Sequence, residues 1–297
     1  MRKTNLSRRN FVKLAGLGFA AASLGCTTEM IAQDKTRKPN FVLIYADDLG
    51  YNDLACYGSK KNRTPHIDRM AEEGMKFTDF YVTSGVCTPS RSSLMTGCYP
   101  RRVNLHVDSK NRWVLFPKAK KGLNPKEITV AEVLKKEGYA MACIGKWHLG
   151  DAKEFLPTRQ GFDYYYGIPY SNDMDRKFKR LPLMRNEETI EAPVHQPVLT
   201  QNYTKEALKF IDKNKDKPFF LYLPHTMVHL PLQASESFKG ESANGRYGDA
   251  VEEVDWSTGQ IIKKLKELGI DKNTMVIFSS DNGAIGSRGS SNDPLRG

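Results

Sequence analysis

Several apolar runs in this sequence end abruptly in residues that can do chemistry. NFVLIYADD (40–48) ends in Asp47 and Asp48, and YAMACIGKWH (139–148) ends in Lys146 and His148. FFLYLPH (219–225) ends in His225, with His229 four residues on, and TMVIFSSDNG (274–283) closes on Asp281 and Asn282. Asp47, Asp48, Asp281 and Asn282 are hard oxygen donors, which suit Ca²⁺ or Mg²⁺ rather than the nitrogen- and sulfur-seeking Zn²⁺. Lys146, His148, His229 and Arg91 bring positive charge and exchangeable protons. A divalent cation ringed by such groups is built for a compact polyoxyanion, and phosphate and sulfate are the candidates. Taken singly, each residue has a plainer reading: DD as a turn, His148 as a surface histidine, DNG as a tight turn. Four apolar runs ending alike argue for one site.

The stretch VCTPSRSSLMTG (86–97) adds a thiol. Thr88 suits an N-cap, Pro89 the first helical position and Gly97 the stop. Cys87 would then lie at the positive end of a short helix, with Arg91 one turn on. Such a setting lowers a thiol's pKa and welcomes an anion. The alternative is a structural cysteine in a strand-to-helix turn.

The elements that must position these residues follow from periodicity. Runs 40–48, 76–82, 139–148, 219–225 and 274–283 read as strands. Segments 64–74, 129–138, 204–214 and about 249–268 read as helices, the last with Val251, Val254, Ile261, Ile262, Leu265 and Leu268 at helical spacing. Strand and helix alternate, which predicts an α/β fold with a mostly parallel central sheet flanked by helices. Ligands of such sheets bind at the carboxyl ends of the strands, where the polar residues cluster. Tyr164, Tyr165, Tyr166 and Tyr170 suit either stacking on a sugar or packing.

The 297-residue chain has 39% hydrophobic and 27% charged residues, ordinary for a soluble protein. Its net charge of +11 points to an anionic partner or substrate. The basic clusters at 60–63, 118–121 and 176–180 are short, and no nucleic-acid-binding signature accompanies them, so nucleic acid is not an expected partner. At the N-terminus, Arg8 and Arg9 precede a short apolar stretch from Leu14 to Gly25. This resembles a twin-arginine export signal and predicts a periplasmic or cell-surface protein handled by the twin-arginine machinery. Cys26 is a candidate lipidation site. Residues 1–32 are thus assigned to the signal and linker, and 33–297 to a catalytic domain. Cys56, Cys87, Cys98 and Cys143 are too unevenly spaced for a disulfide framework.

CTPSR followed by SLMTG resembles the Cys-x-Pro-Ser-Arg modification signature of type I sulfatases. YADDLGYNDLACYG is similar to that family's first metal loop, GKWHLG to its Lys-and-His segment and FSSDNG to its second metal loop. RTPHIDRMAEEGMKFTDFYV, GFDYYYGIPYSND and PFFLYLPHTMVHLP resemble the arylsulfatase A branch. The likeness covers about residues 39–297 and implies an alkaline-phosphatase-like sulfatase fold. It implies that Cys87 is oxidised to formylglycine by a formylglycine-generating enzyme before export. The hydrated aldehyde would attack sulfur with one hydroxyl and eject sulfate with the help of the other. By the same resemblance, Asp47, Asp48, Cys87, Asp281 and Asn282 meet a Ca²⁺, Arg91 holds the diol and Asp281 takes the nucleophile's proton. Lys146 and His148 bind sulfate and assist its release, His229 protonates the leaving oxygen, and Ser171 lies near the substrate. His225 is expected behind the site.

The function implied is hydrolysis of an aryl or carbohydrate sulfate. Family members continue past NDPLRG with a second sulfate-gripping lysine and a small C-terminal subdomain, so the catalytic domain is expected to be incomplete. Two other readings stand beside this one: an inert remnant that binds anionic glycans, and a phosphoryl or phosphonate hydrolase on the same fold.

Overall fold

The computed structural model of the protein describes residues 37–175, 180–286 and 289–296. The export segment 1–32, with Arg8, Arg9 and Cys26, and residues 176–179 of the third basic cluster lie outside the described residues.

Seven strands form one sheet: β1 (Asn40–Ala46), β2 (Ala140–Ile144), β3 (Tyr164–Gly167), β4 (Leu183–Arg185), β5 (Glu188–Glu191), β6 (Phe219–Pro224) and β7 (Thr274–Ser280). Their order is β5-β4-β3-β2-β6-β1-β7. The β3-β2-β6-β1-β7 part is parallel, and β4 and β5 extend it as antiparallel strands. Among the described residues five α-helices accompany it: α1 (Pro65–Glu73), α2 (Cys87–Thr96), α3 (Val130–Lys136), α4 (Leu199–Asn214) and α5 (Gly245–Glu267).

Alternation along the strands splits the core in two. Val42, Ile44, Ala142, Ile144, Leu221 and Leu223 face one side and pack against Tyr203, Ala207 and Ile211 of α4 and Ile261 and Leu265 of α5. Leu43, Tyr45, Met141, Cys143, Phe220 and Tyr222 face the other side and meet Met95 of α2, Ala131 of α3, Trp147 and Phe162. A parallel sheet buried on both faces needs continuous apolar strands, and β1, β2 and β6 supply them. The expected α/β class holds.

Three local expectations are corrected, and one left open, the role of the tyrosines, is decided. Residues 76–82 form no strand: their alternation suggested one, but Phe77, Phe80 and Tyr81 are exposed and the segment has no ladder partner. Helix α2 begins two residues early, with Val86 in extended conformation at the N-cap and Cys87 already helical. Pro89 is therefore its third residue, where the first turn still needs no intrahelical N–H. Helices α4 and α5 start about four to five residues before their apolar periodicity does, at Leu199 and Gly245. The tyrosines 164–166 make up most of β3, with Tyr165 and Tyr166 buried, and Tyr164 donates its hydroxyl hydrogen to Glu206 of α4 at 2.7 Å. They are packing residues rather than a stacking platform.

Candidate active site

Backbone bonds continue the parallel ladder past the strand ends and set the site residues side by side. Asp281 N–H donates to Ala46 O at 3.0 Å, Asp47 N–H to Met227 O at 3.1 Å and Lys146 N–H to Pro224 O at 2.8 Å. Trp147 and His148 N–H donate to Ile168 and Pro169 O, so the segment that follows β3 lies alongside and delivers Ser171. The crossing is tight at Gly145, where φ is 137° and an added Cβ would sit 1.8 Å from Pro224 O. Asp48 and His148 adopt left-handed backbone, with φ of 59° and 58°. Such conformations cost on the order of 1–3 kcal/mol and gather where function over-determines the chain.

From α2, Cys87 and Arg91 reach into this row. Cys87 Sγ lies 3.3 Å from Asp47 Oδ1 and 3.4 Å from Lys146 Nζ. Lys146 Nζ also contacts Asp47 Oδ2 and donates to Ser171 Oγ at 3.2 Å. The Arg91 guanidinium holds Asp281 Oδ2 through Nε at 3.0 Å and Nη2 at 2.8 Å, and donates to Lys146 O through Nη1 at 3.0 Å. Asp281 Oδ1 accepts the Asp48 N–H at 3.2 Å, and Asn282 Nδ2 donates to Asp48 Oδ1 at 2.6 Å. His229 Nε2 lies 3.6 Å from Asp48 Oδ2, with Ser171 Oγ 3.4 Å from the ring. Leu230 O, 2.6 Å from Nδ1, can only accept, so Nδ1 carries the hydrogen and Nε2 faces the site.

The electrostatics follow from burial among few charges. Burial would raise the Asp47 carboxyl, but the Lys146 ammonium and Arg91 guanidinium outweigh it and hold the group below its usual range. Asp281 is pushed up to about 6 by burial and by the Asp47 charge, against the pull of Arg91. Burial and then the Asp47 charge drive the Cys87 thiol well above its ordinary value. This overturns the expectation of a thiol activated by a helix end and Arg91: the nearest charge is a carboxylate, and Arg91 is spent on Asp281. Burial and Lys146 push His148 far down, so it stays neutral. Its Nε2–H goes to Leu115 O at 2.9 Å, leaving Nδ1 as a buried, unpartnered acceptor.

Three carboxylates therefore face two fixed cations, an excess of one negative charge. Asp47, Cys87 and Asp281 offer ligand atoms within 4.8 Å of one another, and Asn282 Oδ1 is buried without a partner. Hard oxygens, a negative excess and an orphaned amide oxygen fit a Ca²⁺-like ion. Among the described residues all four cysteines are free, so Cys87 is not held in a disulfide.

The residues expected at the site lie together, and His225, expected behind it, is not among them. That side chain is fully buried, meets Ser257 of α5 at 3.3 Å and the Tyr203 ring at 6.4 Å, and is pushed down to about 3 by burial: a neutral core histidine. Several supports were not read from the sequence. Thr88 is no cap; its hydroxyl donates to His148 O at 3.0 Å and accepts Leu115 N–H at 3.2 Å. Asn172 Oδ1 contacts His229 Nδ1 at 3.1 Å. Asp53 accepts Gly50 N–H at 2.8 Å, Ser291 N–H at 3.0 Å and Tyr247 O–H at 2.5 Å, and so ties the loop after β1 and the segment around Ser291 to α5. An acid in GYND was visible, but its partners at 247 and 291 were not.

The sulfatase family description matches residues 39–296. The chain is 41% identical to N-acetylgalactosamine-6-sulfatase of Mus musculus over 286 residues, covering 90% of this chain and 55% of that protein. It is 40% identical to arylsulfatase A of Homo sapiens over 270 residues, covering 83% of this chain and 52% of that one. The chain thus spans about half the length of the curated relatives it matches. Among solved structures, Ps i-CgsB in complex with k-i-k-neocarrahexaose superimposes with a TM-score of 0.77 at 33% identity, over 88% of this chain and 62% of that one. A match over almost the whole described region, together with relatives of this identity, leaves one assignment: the chain belongs to the sulfatase family.

Proposed function

We propose that this chain hydrolyses sulfate esters at the Cys87 site, on an aryl or carbohydrate sulfate. The observation that carries the reading is the state of Cys87. Its sulfur sits between a carboxylate and an ammonium among anion-binding groups, yet burial and Asp47 keep the thiol protonated and a poor nucleophile. Conversion of Cys87 to formylglycine, by a formylglycine-generating enzyme before export, would replace that thiol with a hydrated aldehyde able to attack sulfur and then release sulfate. A Ca²⁺ held by Asp47, Asp48, Asp281 and Asn282 would supply positive charge for the sulfate oxygens and the nucleophile.

The protein's own residues divide the remaining work. Lys146 and Arg91 keep their charge at any working pH and fix the anion and the residue-87 side chain. Asp281, whose carboxylate lies within 4.8 Å of the residue-87 side chain, accepts the attacking hydroxyl's proton. His229, with Nδ1–H committed to Leu230 O, offers Nε2 toward the leaving oxygen; protonated there, it delivers that proton. Ser171 bridges Lys146 and His229 and aligns them. The neutral His148 presents the lone pair of Nδ1, suited to drawing a hydroxyl proton as sulfate leaves. The neocarrahexaose of the solved relative supports a carbohydrate as one substrate class. The twin arginine supports export by the twin-arginine machinery to the periplasm or cell surface, with Cys26 as a lipid anchor.

The test is to co-express the chain with a formylglycine-generating enzyme, read the Cys87 peptide by mass spectrometry, and assay 4-nitrophenyl sulfate beside 4-nitrophenyl phosphate. Formylglycine with faster sulfate turnover supports the reading. Faster phosphate turnover favours a phosphoryl hydrolase, and an unmodified thiol with no turnover favours an inert anion binder.

A further inference from the structure

Between Tyr99 and Lys126 the chain carries eight Lys and Arg residues against one acid, Asp108, so seven of the eleven net positive charges lie in this one segment. Asp108 is buried and committed: it accepts Arg112 Nε at 2.7 Å and the N–H groups of Lys110 and Arg112. The charge this segment shows to solvent is therefore entirely positive. The same bonds close the 108–112 turn and lay the Arg112 guanidinium 3.8 Å over the Phe116 ring. This preformed turn presents Trp113 at 74% exposure. Trp113 thus offers solvent a large flat ring, the kind of surface that stacks on a ligand ring.

The turn is fastened to the active site. Leu115 N–H is held by Thr88, the neighbour of Cys87, and Leu115 O by His148 Nε2. Trp113 and Leu115 are two positions apart, with Val114 between them, which limits their Cα spacing to about 7 Å; exposed Lys118, three positions beyond Leu115, is within about 11 Å of it. Further on, Lys120 and Lys121 line a surface cleft of about 340 Å³ with Asn104 and Phe155.

We propose that the 108–121 rim is a second anion subsite. Trp113 stacks on a sugar ring next to the one bearing the scissile sulfate, and Lys118 and Lys120 take a further anionic group, a sulfate or a uronate carboxylate. The preferred substrate is then an oligosaccharide with at least two anionic groups rather than a monosulfated unit. The inference rests on the sulfatase reading for its orientation, but binding tests it without turnover.

Full-length Cys87→Ala protein is titrated by calorimetry with three disaccharides of one backbone: one sulfate, two sulfates, and one sulfate with a uronate. A further anionic group of either kind should tighten binding about tenfold, the size of one charge-assisted contact. Gain from the second sulfate alone would restrict the subsite to sulfate, and gain from the uronate alone to carboxylate; either supports it. Trp113→Ala and the double variant Lys118→Gln/Lys120→Gln should erase the gain, and Trp113→Phe should keep most of it. Equal affinity for all three disaccharides, or a gain that survives both variants, overturns the subsite. So does single-stranded DNA binding as tightly and independently of Trp113, which would mark a general polyanion surface. The parent protein, with Cys87 in place, should hydrolyse 4-nitrophenyl sulfate. Loss of that hydrolysis in the parent protein, with disaccharide binding intact, would count against the sulfatase reading and leave the subsite standing.

Discussion

Cys87 carries chemistry without carrying the fold, because it belongs to none of the three apolar clusters. Cys87→Ala should abolish hydrolysis while shifting thermal unfolding by no more than a few degrees, checked by an aryl sulfate assay beside calorimetry. Cys87→Ser has a hydroxyl but no second one to expel sulfate, so a single stable sulfate adduct should appear by mass spectrometry after incubation with substrate. Asp47 is the opposite case. It meets Lys146, Arg91 and Cys87 at zero exposure, so Asp47→Asn strips two buried cations of their shared counter-charge. That should cost about 3–5 kcal/mol in urea unfolding and weaken calcium binding. Wild-type protein treated with chelator should regain stability with Ca²⁺, by roughly 2.7 kcal/mol at a hundredfold excess over Kd, and not with Zn²⁺. Stoichiometric zinc in protein purified without added metal would reverse the assignment. At this scale most of the site was legible, because Asp47, Lys146 and Asp281 follow apolar runs whose ends parallel pairing must align. The state of Cys87 was not, since a thiol's pKa depends on which charge lies nearest in space.

Among the elements, α5 does most to hold the site loops. Its apolar face was readable from Val251, Val254, Ile261 and Leu265, but its polar face was not. Tyr247 reaches Asp53, Asp249 accepts the N–H groups of Gly240 and Ser242, Glu252 pairs with Arg63, and Glu253 accepts Ser235 N–H. These partners lie up to 194 residues away, beyond any local pattern. Strands β3 to β5 were missed for a related reason: YYYG is short, and the hairpin after it turns on Asn186, in left-handed backbone without the usual following glycine. Tyr247→Phe leaves Asp53 its two backbone donors, so it should cost only about 1 kcal/mol in stability yet loosen calcium binding, read by calcium titration. Asp255 tests the helix differently. It caps the start of α1 by accepting His66 and Ile67 N–H at 3.1 and 2.8 Å, and burial pushes it up to about 7. A carboxyl raised above its unfolded value favours the folded state below the unfolded pKa, near 3.8, and that contribution is lost as pH rises through about 7. Glu253 shifts the same way. Urea unfolding should therefore show Asp255's contribution falling by on the order of 2–4 kcal/mol from pH 4 to pH 8, a slope Asp255→Asn should flatten.

Over the whole molecule, charge and exposed apolar surface oppose each other. The sheet order ends at β7, whose Val276 and Phe278 join the core while Met275 and Ile277, on the opposite face, are 56% and 41% exposed. Neither joins the cluster that α2 and α3 build on that side. Among the described residues no strand pairs with the outer side of β7, and an outer strand with an apolar face is a template for pairing with another chain. The net charge of +11 works against such pairing through repulsion between copies. Repulsion reaches about 10 Å at 0.1 M salt and only about 3 Å at 1 M, whereas apolar contact and ladder bonding are not screened. Self-association should therefore strengthen with added NaCl, the reverse of what ion pairing between copies would give. Light scattering across a salt series reads this directly. Ile277→Lys and Met275→Lys place a charge on the open face and should suppress the salt-driven growth in mass, with the fold retained because neither side chain belongs to a core cluster. If both variants associate as the parent does, the contact lies elsewhere, and the exposed aromatic stretch around Phe77, Phe80 and Tyr81 is the next surface to alter.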